Sequence, residues 1–327
     1  MCTHIVLKNK NNNIISARTM DFSLELEPSI VVFPRNYSME FNNLSSPLKE
    51  HFAFLGLGKN IGQYIIADGV NEYGLSMAAL YFEGCADFTD IPDENKTNLD
   101  SHEVLHWILA NCKDISSVKN ELEKINVLNN TLNFIGKPAP LHWVVVDQKG
   151  ESIIIEPLDK GFVISDNAVG VLTNSPDLSW HYTNLRNYIG LDNNQLSERK
   201  IGQLNFAPFG QGSGSFGLPG DYTPTSRFVR AVFNKLSCDF GESINDTLIA
   251  GINILNTVSI PRGSVVTQRN TIDYTQYSSY VDVINLDYYF KTYYTNQMQK
   301  VSLNSFDLDN NQLIIKNIKK ELSVKEI

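Results

Sequence analysis

Two pairs of consecutive helical stretches, each bracketed by groups of strands, restrict this chain to a layered α+β architecture. The first pair begins after Asp100-Ser101-His102-Glu103, which has the spacing of a capping box. Val104, Trp107, Ile108 and Cys112 then fall on one helical face, and residues 114–126 repeat the pattern with Val118, Leu122 and Ile125. The second pair opens at Thr223-Pro224-Thr225-Ser226 and carries Phe228, Val229, Val232, Phe233 and Leu236; residues 243–258 supply its partner. Strand-like runs surround both pairs: 3–7, 14–20, 30–34, 51–57, 63–67, 75–82, 142–147, 151–156, 162–164, 169–172, 280–285, 286–294 and 300–305. Asp68-Gly69 and residues 71–74 read as turns between them. Strands, two helices, strands, two helices, strands implies two packed sheets with helices outside, an αββα sandwich. No repeat or linker interrupts the chain, so residues 1–327 are expected to form one domain, with a charged tail over 307–327 on the surface.

Composition narrows the function classes. A hydrophobic content of 42% and an aromatic content of 10% are those of a soluble globular protein able to bury a large core. The net charge of −9 argues against a general nucleic-acid binder. No apolar run has the length of a membrane span. The polar stretch over residues 8–13 interrupts the N-terminal apolar run, so no signal peptide is expected and the chain should start at its encoded start. Cys2, Cys85, Cys112 and Cys238 are scattered without metal-like spacing. This suits a reducing cytoplasm, with the last three as apolar filler.

The opening residues carry the chemistry. Met1-Cys2-Thr3 puts a cysteine directly after the initiator methionine. Removal of Met1 would leave one residue holding both a thiol and an α-amine. The thiolate is the attacking form of a free cysteine, whose pKa is ~8.5. An α-amine has a pKa of about 7.7–8.0, so part of it is neutral near neutral pH and can take the thiol proton. An N-terminal nucleophile therefore carries its own base. Residues 3–7 and 14–20 read as a hairpin about a turn near Asn11, which sets Cys2 beside the stretch around Arg18 to Met20. There Arg18 would favour the thiolate, and Asp21 could hold the amine through a charge-assisted hydrogen bond. On these residues alone, an incidental cysteine next to a solvated Arg–Asp pair is the commoner arrangement and the favoured reading.

Other candidates are weaker in isolation. Asn174, in Thr173-Asn174-Ser175-Pro176, could donate a side-chain N–H into a site, or be an ordinary turn asparagine. Arg227 lies in a first helical turn, where a cation opposes the helix dipole; it has either a specific partner or a surface position. His102-Glu103-Val104-Leu105-His106 matches the H-E-x-x-H pattern of zinc proteases, but no third ligand is in view and short patterns recur by chance. The glycine-rich stretch over 209–221 lacks the context of a phosphate loop, and the excursion over 190–221 is long enough to be functional or interfacial.

Taken in order, Met1-Cys2-Thr3, Arg18-Thr19-Met20-Asp21, Asp68-Gly69-Val70-Asn71-Glu72-Tyr73-Gly74-Leu75, Leu172-Thr173-Asn174-Ser175-Pro176, Gly210-Gln211-Gly212 and Ser226-Arg227-Phe228 resemble the choloylglycine hydrolase family of bile salt hydrolases and penicillin V acylases. The resemblance runs from residue 2 to about 295 and implies an N-terminal-nucleophile hydrolase of linear amides, without metal or organic cofactor. It implies Cys2 as nucleophile and base, Arg18 by the thiol and Asp21 by the amine. Asn174 and the strand end at Tyr81 would form the oxyanion hole, and Arg227 would complete the polar network. Bile salt hydrolases commonly have asparagine at the Tyr81 position, whereas penicillin V acylases resemble this chain in having tyrosine. The resemblance thus favours a penicillin V acylase-like enzyme, with conjugated bile salts or acyl-homoserine lactones as alternative substrates. A binding protein that retains Met1 on the same fold is the non-enzymatic alternative. A homotetramer is expected by resemblance.

Overall fold

The computed structural model describes residues 1–295, 297–318, 321, 322, 324 and 326. In chain order the strands are β1 (Cys2–Lys8), β2 (Ile14–Phe22), β3 (Ser29–Phe33), β4 (Phe54–Asn60), β5 (Tyr64–Asn71), β6 (Ser76–Tyr81) and β7 (Thr97–Asp100). After helices α1 (Val104–Asn111) and α2 (Ile115–Leu122) come β8 (Ile125–Leu128), β9 (Leu141–Val146), β10 (Ser152–Leu158), β11 (Gly161–Asp166) and β12 (Val171–Leu172). Helix α3 (Leu178–Leu185), the short hairpin β13 (Arg199–Ile201) and β14 (Leu204–Phe206), and helices α4 (Pro224–Ser237) and α5 (Ile244–Asn256) follow. The chain closes with β15 (Val265–Val266), β16 (Ile272–Asp282), β17 (Asp287–Thr292), β18 (Gln299–Ser302) and β19 (Ile314–Asn317).

Two antiparallel sheets result. The first runs β12-β1-β2-β16-β17-β18, with β15 on β16; the second runs β11-β10-β9-β6-β5-β4-β3-β19. Alternation along the strands shows how they stack. Ile30, Val32, Val144, Val146 and Ile154 of the second sheet join Ile5, Leu7, Tyr277 and Tyr280 of the first in one core, which also takes in Phe228 and Leu255 of α4 and α5. The opposite faces, with Val31, Phe33, Trp143, Val145 and Ile155, pack on Leu105, Ile108 and Leu109 of α1 and Val118 of α2. The architecture is the expected αββα sandwich. Strands buried on both faces explain the nearly unbroken apolar runs in the sequence.

Local expectations need four corrections. Asp68-Gly69 is the interior of β5, not a turn. Gly69 is there because a Cβ would stand 2.4 Å from the Leu55 carbonyl oxygen, so only glycine lets β4 and β5 approach this closely. The capping box before α1 is half formed: Glu103 accepts from the Asp100 N–H, but the Asp100 carboxylate turns to Asn42, Asn43 and Asn130. The second helix stops at Leu122 and Ile125 begins a strand. Finally, the tail contributes an edge strand, β19 paired with β3, although positions 319, 320, 323, 325 and 327 of that tail lie outside the described residues.

Candidate active site

The site begins with the β1–β2 register. Cys2 faces Met20 and His4 faces Arg18, two pairs further along on the same face, so the Arg18 side chain can reach back diagonally to the sulfur. Its Nη2 donates to Cys2 Sγ at 2.8 Å. Its Nη1 donates to the Ala67 and Ala79 carbonyls, each at 2.9 Å, and its Nε to the Thr19 carbonyl at 3.2 Å. The guanidinium is buried. Burial opposes its charge, but Cys2, Tyr277, Asp68 and Tyr288 together push its pKa upward, so it remains a cation.

The other half of the site comes from distant segments. Asn174 follows β12, which pairs with β1. Its Oδ1 accepts the Cys2 backbone N–H at 2.8 Å and Arg227 Nη2 at 2.7 Å, while its Nδ2 donates to the Tyr81 carbonyl at 2.7 Å. Arg227 is no surface residue: it is fully buried, and its Nη1 donates to the Cys2 carbonyl at 2.5 Å and Thr3 Oγ1 at 2.7 Å. Burial pulls the Arg227 pKa down, partly offset by Asp21 and Cys2. Thr223 caps α4 and Pro224 starts it, which fixes the turn that carries Arg227 inward.

The Asp21 carboxylate accepts Thr275 Oγ1 at 2.5 Å and Thr19 Oγ1 at 3.1 Å, and lies 3.9 Å from Arg227 Nη1. With Met1 in place, the α-amine meets the Asp21 backbone carbonyl at 2.5 Å rather than the carboxylate, and the Asp21 N–H returns a bond to the Met1 carbonyl at 3.0 Å. The amine also lies 3.7 Å from Asp273 Oδ2. All six residues singled out in the sequence therefore meet around the first peptide. Local sequence gave no signal for Thr3, Thr19 and Thr275, which complete the network; only the register of β2 with β16 brings Thr275 opposite Asp21.

An apolar cavity opens beside the sulfur, lined by Met20, Phe22, Ile65, Tyr81, Phe134 and Leu141 among others. The rings of Phe22 and Tyr81 stand 6.0 Å apart and tilted. Lys137 lies 5.5 Å from the Tyr81 ring centroid and pairs with Glu83 at 2.7 Å. The histidine pair contributes differently. His102 reaches the cavity wall, but His106 is in the core, where its Nε2 accepts the Ile66 N–H at 3.3 Å and burial pushes its pKa down to about 3. Asp100, His102 and Glu103 lie close enough to share an ion, yet each carboxylate oxygen of Asp100 and Glu103 already accepts an N–H.

Residues 2–316 match the linear amide C–N hydrolases of the choloylglycine hydrolase family. The chain belongs to that family. It is 35% identical over the whole of both chains to a bile salt hydrolase/transferase of Clostridium perfringens (strain 13 / Type A). A solved structure of a conjugated bile acid hydrolase from Clostridium perfringens superposes over all of both chains with a TM-score of 0.90. A penicillin V acylase of Pectobacterium atrosepticum is more distant, 26% identical over 89% of this chain and 78% of its own. As a choloylglycine hydrolase family member the protein is an amide hydrolase, and the αββα sandwich is that of the N-terminal-nucleophile hydrolases. Among the described residues no helix is long and apolar enough to cross a membrane.

Proposed function

We propose that the protein, once Met1 is removed, cleaves N-acyl amides through an acyl-thioester on Cys2. The observation that carries this is the crowding of three functions at one residue. The Cys2 sulfur takes Arg18 Nη2 at 2.8 Å, its nitrogen lies 2.8 Å from Asn174 Oδ1, and its carbonyl takes Arg227. The thiolate attacks the amide carbon, and the α-amine holds the thiol proton. One Asn174 Nδ2 hydrogen is spent on the Tyr81 carbonyl; the other, with the strand end at Tyr81, receives the developing oxyanion. The α-amine passes its proton to the leaving nitrogen and the C–N bond breaks. Water then attacks the thioester, gives a proton to the α-amine and releases the acid and the thiol. Arg18 stays beside the sulfur, while Asp21 and Arg227 hold the backbone on either side of it.

The acyl group enters the apolar cavity. Its aromatic wall of Phe22, Tyr81 and Phe134 favours a ring-bearing acyl group such as phenoxyacetyl, which makes penicillin V the leading substrate. Conjugated bile salts are the second reading, favoured by the full-length 35% identity to the Clostridium perfringens protein. Turnover of penicillin V, glycocholate, taurocholate and an acyl-homoserine lactone in parallel decides between them. The expected order puts penicillin V first, and equal or faster rates on either bile salt would reverse it.

We further propose a single-domain, cytoplasmic homotetramer. Support for the oligomer is the exposed apolar hairpin with Ile201, Leu204 and Phe206, close in sequence to the exposed Phe209 and Phe216, large apolar side chains that an interface between copies would cover. Light scattering on purified protein is expected to give four times the chain mass, and Leu204→Lys with Phe206→Lys to lower it; a monomeric mass for the unmodified protein would end that part of the proposal.

A further inference from the structure

Arg18 poses a charge problem that its contacts do not solve. Its five N–H directions meet three carbonyls and two sulfurs, Cys2 Sγ and Met20 Sδ, all neutral once the sulfur of Cys2 is acylated. Among the described residues it forms no direct ion pair. A buried guanidinium without a counter-charge is strongly unfavourable. Yet two of its carbonyl partners flank one acid: Ala67 precedes Asp68, and Ala79 follows Ala78, the strand partner of Asp68.

Asp68 is buried between the sheets, and its carboxylate is sheathed in hydroxyls. Tyr277 donates to Oδ1 at 2.8 Å, Tyr288 to Oδ2 at 2.8 Å, and Ser279 also to Oδ2. All three donors come from β16 and β17, across the gap from β5. Three hydroxyl donors are a good match for an ionised carboxylate and a poor one for a protonated acid, which would itself need an acceptor.

We infer that Asp68 is the standing counter-ion of Arg18, a positioning residue that balances the guanidinium while the Cys2 sulfur alternates between thiolate and neutral thioester. This rests on Cys2 being the nucleophile. The hydroxyl sheath has a purpose in this arrangement. It keeps the carboxylate from bonding Arg18 directly, so Nη2 stays on the sulfur. The charge of Asp68 also limits how tightly Arg18 holds the thiolate, and a thiolate held less tightly is the better nucleophile.

The test is the pH midpoint of Cys2 alkylation by iodoacetamide in the processed full chain, with labelling at Cys2 read by peptide mass. The charged and titratable groups facing the Cys2 sulfur and Arg18 are the α-amine of processed Cys2 itself, His4 of β1, Asp21 of β2, Asp68 of β5, Tyr277 of β16, Tyr288 of β17 and Arg227 of α4, and the amine is common to every variant compared. Asp68→Asn removes the competing negative charge, so the midpoint is expected to fall by about one pH unit. The amide kcat/KM should fall on the order of tenfold, because acylation now leaves Arg18 uncompensated. Tyr288→Phe strips one donor from the sheath and should move the midpoint upward, because the bare carboxylate then draws on Arg18. A merely structural Asp68 would lower activity without this pair of opposite shifts. An unmoved or raised midpoint in Asp68→Asn overturns the inference; should that variant not fold, an unmoved or lowered midpoint in Tyr288→Phe does so. Full activity in Cys2→Ser would instead remove the nucleophile assignment, whatever the midpoints show.

Discussion

Cys2→Ser is expected to leave the protein folded and to remove amide turnover by at least about 10³-fold, the scale at which loss of a nucleophile is felt. The two effects separate for physical reasons. The sulfur is buried and takes one hydrogen bond, from Arg18 at 2.8 Å. A serine hydroxyl can accept the same bond, so stability should change by no more than about 1 kcal/mol. Chemistry has no such substitute, because a hydroxyl is a far weaker nucleophile than a thiolate near neutral pH and Arg18 cannot make up the difference. Initial rates on the four amides and a thermal melt check both halves. Full activity would exclude Cys2 as the attacking group. Intact mass of the same preparations tests the companion requirement: active enzyme should lack Met1, and an active chain that keeps Met1 would contradict the use of the α-amine as base.

Asn174→Ala should lower kcat about 10²–10³-fold, equivalent to ~2.7–4 kcal/mol for one lost oxyanion donor. It should also destabilise the fold, because Arg227 Nη2 and the Cys2 nitrogen both lose their acceptor inside the protein. A buried donor left unmatched costs roughly 1–3 kcal/mol. Asn174→Asp separates the two effects. It keeps an oxygen facing Arg227 and Cys2 but loses the amide hydrogens and sets its second oxygen against the Tyr81 carbonyl, so kcat should fall as far as in the alanine variant while the melting temperature falls less than in that variant. If the aspartate variant keeps its turnover, Asn174 does not stabilise the oxyanion, and its role is confined to holding Arg227 and the first peptide.

How far the site can be read before folding depends on the range of each interaction. The Cys2–Met20 register follows from a short hairpin and needs only the alternation of β1 and β2, so Arg18 and Asp21 are legible locally. Arg227 is not. A cation in a first helical turn looks like a surface residue until the helix docks and buries it against Cys2 and Thr3. Asp68 is harder still. Its Asp-Gly step has the composition of a turn, and only the close approach of β4 to β5 shows why glycine is needed inside a strand there. The three hydroxyls that satisfy it lie more than two hundred residues away in sequence. Helix α3 escaped notice for another reason: only Leu178 and His181 are buried, too little to make a periodic apolar face. Charge on the tail likewise concealed β19, whose sheet position comes from backbone pairing with β3.

The bonds at the very start of the chain bear on when the enzyme matures. With the initiator methionine attached, its amine and carbonyl are already zipped to the Asp21 backbone, extending the hairpin by one rung. A trimming peptidase works on a free, extended end, and here that end is laid down as part of a sheet. Excision therefore has to precede the closing of this one rung or wait for it to open, so the pairing of Met1 with Asp21 stands between the folded chain and its free Cys2 amine.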